Sequence, residues 1–309
     1  MIEREELLEK ITKKLTRDDG EKFYETERLD YIKTVLKDSA YEIFEETGLV
    51  VIYKKKNADL PEKVVLISSH VDCVDGITIP NFKLTKKGNY KGTFDNAATN
   101  AAVVIAMLEN RFEDNVVIAF TGDEEENQEG AKQAIEYLQV REKKVVAIAL
   151  DVTFDLESEK EDYTTYKNAS YTIDNLCLNT DEQIVRSLFD IAKNLGVPFM
   201  VTRADDEADK DEYGNWIGYD YFSGENENKT GDYYEAFREV EECAAQDEAI
   251  EYSKYDNCIG TFSLCLPTDD DSDTNPPTMH TNELIKIKKK SFTEYIEAVT
   301  HISNGLAIL

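Results

Sequence analysis

Basic residues, histidines, paired cysteines and long apolar runs are all scarce in this chain of 309 residues. Lys and Arg total 35 against 64 Asp and Glu, a net charge of −29. Phosphates would be repelled by that field, which excludes nucleic acid as a partner. The same charge serves solubility first, and could also favour cationic substrates or divalent metals. The five cysteines, Cys73, Cys177, Cys243, Cys258 and Cys265, are odd in number and form no CxxC pair. That excludes a disulfide framework and a cysteine-type zinc knuckle, and they read as small buried side chains. No stretch approaches the ~20 apolar residues of a membrane span, so no membrane partner is expected. The opening residues, Met1-Ile2-Glu3-Arg4-Glu5-Glu6, read as a charged amphipathic helix and lack the apolar centre of a signal peptide. A cytoplasmic location is the expectation. No internal repeat at solenoid spacing is present.

What is there alternates. Residues 2–16 have helical periodicity through Ile2, Leu7, Leu8, Ile11 and Leu15, and 28–38 repeat it with Leu29, Ile32, Val35 and Leu36. Short β-branched runs follow at 49–53, 64–68, 116–120 and 145–150, each of a kind expected of strands buried on both faces. Helical stretches at 96–110 and 129–140 lie between them, and a late helix is predicted near 282–303. This order implies an α/β fold: a mostly parallel mixed sheet with helices on both faces. Residues 1–309 read as one catalytic domain. Within it, the acidic and Gly-, Asn- and Tyr-rich stretch 200–250 reads as a surface insert or lid, with helical character returning near 232–250. Asp209, Asp211, Gly214 and Asp220 fall at EF-hand-like offsets there, but Tyr213 stands where an oxygen donor is needed and no helix pair is evident.

The unusual residues sit where strands end, which is where open α/β sheets bind ligands. The run 64–68 leads to Ser69-His70-Val71-Asp72, 116–120 to Thr121-Gly122-Asp123-Glu124-Glu125-Glu126, and 145–150 to Asp151. Phe94-Asp95-Asn96 precedes a helix, and His280 precedes the last one. Two of the three histidines thus occupy such positions; the third, His301, lies in a helical pattern and reads as structural. Imidazole and carboxylates gathered on one rim suit zinc, with manganese or cobalt as substitutes. Asp72 is placed to accept a hydrogen bond from the imidazole nitrogen that does not face the metal. Asp95 can give one oxygen to each of two ions about 3.5–4 Å apart. Of the adjacent Glu124 and Glu125, one can bind metal while the other takes a proton from water. Asp75 and Asp123 read as bystanders, and the acidic run at 268–273 as a solvated loop.

These blocks resemble the co-catalytic zinc aminopeptidases and their relatives in peptidase families M28, M42 and M20. The matching stretches are Ser69-His70-Val71-Asp72-Cys73-Val74-Asp75-Gly76, Gly92-Thr93-Phe94-Asp95-Asn96-Ala97-Ala98, Phe120 to Ala131, Ala149-Leu150-Asp151-Val152-Thr153, and Leu266-Pro267-Thr268 leading to Met279-His280-Thr281-Asn282-Glu283. All five occur in the families' order, over residues 69–283. Four consecutive acids, 123–126, leave the register of one block open; Phe120-Thr121 and Gly130-Ala131 on its flanks place the pair at Glu124-Glu125. Asn127 stands where the families usually have glycine. The spacing between blocks resembles an M28 core, while Leu150-Asp151-Val152-Thr153 and Phe120-Thr121 resemble the phrasing of M42.

The resemblance implies two divalent ions, with Asp95 bridging, His70 and Asp151 completing one site, and Glu125 and His280 completing the other. It implies Glu124 as general base and later proton donor to the leaving amine, Asp72 as the residue orienting His70, and a bridging water or hydroxide as nucleophile. The activity implied is removal of N-terminal residues from peptides, with the free amine met by acidic groups. One rival is an amidohydrolase acting on N-acyl amino acids or a carboxypeptidase, which needs a basic group for the substrate carboxylate. Another is a non-catalytic homologue binding peptide or metal. Relatives of this kind often assemble, so a homo-oligomer is an expectation of the resemblance.

Overall fold

The computed structural model describes residues 3–14, 27–73, 80–125, 127–154, 169–177, 179–204, 242–243, 247–268 and 285–309. Among the described residues, the apolar runs become strands at the centre of a nine-stranded sheet. There β3 (Lys63–His70), β6 (Val116–Thr121) and β7 (Lys144–Phe154) lie side by side and parallel, with β3 between the other two. Their Val, Ile, Leu and Ala side chains are buried on both faces, as the absence of polar alternation requires. Flanking them are β1 (Tyr41–Glu46) and β2 (Val50–Lys55) on one side. On the other are β11 (Cys258–Thr268), β8 (Tyr171–Cys177), β9 (Phe199–Ala204) and β10 (Glu242–Cys243), giving the order β1-β2-β6-β3-β7-β11-β8-β9-β10. Most neighbours are parallel; β1–β2, β2–β6 and β11–β8 are antiparallel. The sheet is therefore mixed and mostly parallel.

Helices cover both faces. On one side lie α1 (Arg4–Thr12), α2 (Glu27–Leu36), α3 (Ala97–Leu108), α5 (Glu182–Leu195) and the last helix, α7 (Lys289–Ala307). Leu8, Ile32, Ala101, Leu188 and Ile296 share one apolar cluster with Val65 and Ile67 of β3. On the other side α4 (Glu129–Gln139) and α6 (Glu248–Ser253) bring Ile135, Leu138 and Tyr252 against Val64 and Leu66. Alternate residues of one strand thus feed opposite layers. Each such aliphatic side chain contributes about 1.5–3 kcal/mol relative to exposure, so the strands that end at the rim are held from both sides.

A second, three-stranded antiparallel sheet of β4 (Phe82–Leu84), β5 (Tyr90–Gly92) and β12 (Ile285–Ile287) leads the chain into Asp95. A Cβ at Gly92 would stand 2.8 Å from the Asn81 carbonyl oxygen and 2.9 Å from the Phe94 ring, so this approach needs glycine.

Some elements differ from the sequence pattern. The late helix starts at Lys289 rather than 282, because Ile285-Lys286-Ile287 alternates and pairs with β5. The strand over the run 49–53 is antiparallel to its neighbours, not part of the parallel centre. Residues 200–204 belong to β9 and 248–250 to α6, while 205–241 lie outside the described residues. Among the described residues no helix is long and apolar enough to cross a membrane.

Candidate metal centre

The sheet register sets the site. Ser69 pairs with Leu150 and His70 with Thr121, so β3, β6 and β7 reach the same rim together. His70 is the last residue of β3 and Asp151 lies on β7 beside it. Glu124 and Glu125 follow β6 by a short turn, and Asp95 sits just before α3, where the Asp95–Asn96 peptide is cis.

The His70 ring is held between two sets of acceptors. Its Nδ1 lies 3.2 Å from the Asp72 carbonyl oxygen and 3.5 Å from Asp72 Oδ1. Its Nε2 lies 3.3 Å from Asp95 Oδ1, 3.7 Å from Asp151 Oδ1 and 3.9 Å from Glu124 Oε2. One ligand atom each of His70, Asp95 and Glu125 lies within 4.8 Å of the others. Asp72 also accepts the Glu124 backbone N–H through Oδ2 at 3.1 Å, which ties the glutamate turn to the histidine. His70 and Asp95 are only 2% and 3% exposed.

Burial and crowding shape the charges. Burial works against the His70 imidazolium, but Glu124, Asp151, Asp72 and Asp95 together hold its pKa well above the usual histidine range. Burial raises the Asp151 carboxyl to about 7 against the pull of His70, and Asp95 and Asp247 add to the rise. Glu124 is raised well above the ordinary range, again by burial first, with Asp151, Glu125 and Asp247 repelling its charge. These are acids drawn together without enough positive charge to balance them. Nitrogen and carboxylate donors, buried, mutually close and over-supplied with negative charge, fit a divalent cation. His280 lies outside the described residues, as do Asp75 and 269–273. His301 is exposed on α7, 3.7 Å from Glu297.

Comparison with known proteins agrees with this chemistry. Residues 49–226 match Peptidase family M28. The chain belongs to that family. It is a peptidase, a hydrolase of amide bonds. Among solved structures, a TET aminopeptidase from a marine sediment Thaumarchaeota archaeon aligns over 97% of this chain and 96% of its own, with TM-score 0.64 and 11% identity. An aminopeptidase from the archaeon Desulfurococcus kamchatkensis aligns over 97% and 95%, with TM-score 0.63 and 11% identity. The TET1 peptidase of Pyrococcus horikoshii aligns over 97% and 99%, with TM-score 0.61 and 13% identity. At such identities these likenesses show a shared fold. Comparison with curated protein sequences finds no match.

Several residues of this M28 peptidase around the site carry no sequence signal. Arg28 of α2 is 2% exposed and donates from Nη1 to the Val71 carbonyl at 3.2 Å. Burial lowers its pKa, while Cys73, Asp95 and Asp72 oppose that. Asp247, in the acidic stretch, accepts from Ser263 Oγ and from Asn175 Nδ2. Glu248 accepts from Ser68 Oγ at 2.6 Å, two residues before His70. Asn96 Nδ2 donates to the Leu150 carbonyl at 2.6 Å, next to Asp151. Each stands in a run whose hydrophobic pattern or acidity gave no reason to single it out.

Proposed function

We propose that this M28 peptidase is a dinuclear metal-dependent aminopeptidase. His70 and Asp151 would hold one ion, Glu125 and His280 the other, with Asp95 between them. Bound there, two divalent cations, zinc by the donor set, would polarise the scissile carbonyl and acidify water. Glu124 takes the proton of the attacking water and returns it to the leaving amine. Asp72 keeps the His70 ring and the Glu124 turn in register with one another. The acids of the rim meet the free ammonium of the peptide. The observation that supports this most is the convergence of His70, Asp95 and Glu125 on one point, with Asp151 and Glu124 beside His70 Nε2.

The deacylase or carboxypeptidase reading needs a cation presented to a substrate carboxylate. Arg28 is buried and donates to the Val71 carbonyl, so it is not the cation that reading needs. We further read 1–309 as one catalytic domain: β9 and β11, on either side of the 200–250 stretch, lie in the same sheet. The Pyrococcus horikoshii TET1 peptidase can assemble into a tetrahedron or an octahedral shell. We extend homo-oligomer formation to this chain, to be checked by sedimentation. The described cysteines Cys258 and Cys265 form no disulfide, and on that we propose a reducing, cytoplasmic location.

The test is hydrolysis of a panel of aminoacyl-chromophore and N-acyl-amino-acid substrates by zinc-loaded wild type and Glu124→Gln. Release from free-amine substrates, reduced at least about 10²-fold in the variant at equal metal content, is expected. Turnover of N-acylated substrates alone would move the enzyme to the deacylase class.

A further inference from the structure

The interior of α3 is nearly all apolar: Ala-Ala-Thr-Asn-Ala-Ala-Val-Val-Ile-Ala-Met-Leu, buried from Ala97 to Met107. Asn100 interrupts it with a side chain 0% exposed. Asparagine is a poor residue for a buried helix, because its amide must be desolvated and competes with the backbone. Its carbonyl oxygen, Oδ1, is buried with no hydrogen-bond partner among the described residues. Any benefit must therefore come from the amide nitrogen. Nδ2 donates to the His70 carbonyl at 2.8 Å and to the Asn96 carbonyl at 2.7 Å. Both partners are acceptors only, so a flipped amide would set oxygen against oxygen, and the orientation is fixed.

The two bonded peptides flank the candidate metal ligands. The His70 carbonyl belongs to the ligand itself, at the end of β3 where the ladder stops. The Asn96 carbonyl belongs to the residue after Asp95. Asn96 in turn donates from its own side chain to Leu150, the residue before Asp151. Three chain segments that carry ligands are thus pinned together, and Asn100 supplies the tie between His70 and the Asp95 corner. We propose that Asn100 is a positioning residue: its amide fixes the distance between the His70 and Asp95 donors and so sets metal affinity.

This rests on the dinuclear reading above. Two variants separate it from a packing role. Asn100→Ser keeps a hydroxyl that reaches the carbonyl four residues back in its own helix, Asn96, but is too short to span to His70. Asn100→Asp keeps the shape and loses the donor. Metal-free protein is titrated with zinc against a chromophoric chelator, beside melting temperature and steady-state kinetics. The expected result for Asn100→Ser is zinc affinity weakened about 10–100-fold and kcat lowered, with KM within about threefold and a melting temperature near that of wild-type apoprotein. Asn100→Asp should weaken zinc at least as much; if it does not fold, the serine variant decides. Wild-type zinc affinity and kcat in folded Asn100→Ser, with or without a lower melting temperature, would overturn the proposal. Wild type that itself binds no zinc and hydrolyses nothing would instead overturn the dinuclear reading on which it stands.

Discussion

The Asp72 carbonyl oxygen meets the inner nitrogen of His70 at 3.2 Å, and its carboxylate, 3.5 Å from that nitrogen through Oδ1, accepts the Glu124 N–H through Oδ2, so one residue touches both a candidate ligand and the candidate base. Asp72→Ala should weaken zinc binding or lower kcat about 10–100-fold, read by zinc titration and kinetics together. A variant with both unchanged would remove Asp72 from the site's machinery. Glu248 gives a second test at this scale. Burial pushes its carboxyl from 4.5 up to about 7, against the hydrogen bond from Ser68. The folded chain therefore keeps the proton to higher pH than the unfolded chain. Its contribution to stability is complete below pH 4.5 and is lost as pH rises through 7. The loss is about 3 kcal/mol across that window. Urea unfolding of metal-free Glu248→Gln should show a pH dependence flatter by that amount than wild type; an identical slope would contradict the assignment. His70, Asp95 and Asp151 were legible as candidates because each stands at the end of an apolar run or before a helix in a family-like block. Asn100, Arg28 and Glu248 were not. Asn100 sits inside an apolar run, and what it reaches, a carbonyl 30 residues away, is set only by the tertiary fold.

The turn after β6 shows how an element carries the chemistry. Gly130 opens onto Gly122: its N–H donates to the Gly122 carbonyl at 3.1 Å, closing the loop that presents Glu124 and Glu125. A Cβ at Gly130 would stand 2.5 Å from the Gly122 carbonyl oxygen and 2.6 Å from the Leu49 carbonyl oxygen, both rigid backbone. Gly130→Ala should cost about 1–3 kcal/mol in stability and displace the glutamate pair, lowering kcat. Gly48→Ala, with nothing within 4 Å of the new methyl, is the near-neutral control in the same melting and kinetic assays. Equal behaviour of the two variants would mean the turn relaxes freely. At this scale the continuous runs of β3, β6 and β7 were plain in the sequence because burial on both faces removes polar residues. β8 was missed for the opposite reason. Its Asp174 and Asn175 break the apolar pattern, yet the strand is buried, with Asn175 bonded to Asp247 and Ser263 and Asp174 to Thr172. Asn127, which departs from the family-like block, donates its N–H to the Asp123 carbonyl within the turn.

The whole molecule carries a net charge of −29 and concentrates buried acids at one rim of its sheet. Divalent cations bound only by the folded state stabilise it by mass action, about 2.7 kcal/mol at a free concentration 100-fold above the dissociation constant. Chelation should therefore lower the melting temperature reversibly, with zinc restoring it; a melting temperature indifferent to chelator would speak against a site confined to the folded state. The α/β class was readable at this scale, and the family match over residues 49–226 takes in the first four of the five blocks. The antiparallel edge and the second sheet were not, since short strands such as Phe82–Leu84 gain their structure from partners distant in sequence. If His70, Asp95, Glu125 and Asp151 belong to a site for two metal ions, as proposed, zinc titration of the metal-free protein will count them. Two ions per chain in wild type, with fewer in Asp95→Ala at an unchanged far-ultraviolet spectrum, is the expected result. A single ion, or none, in folded wild type would rule out the two-ion site.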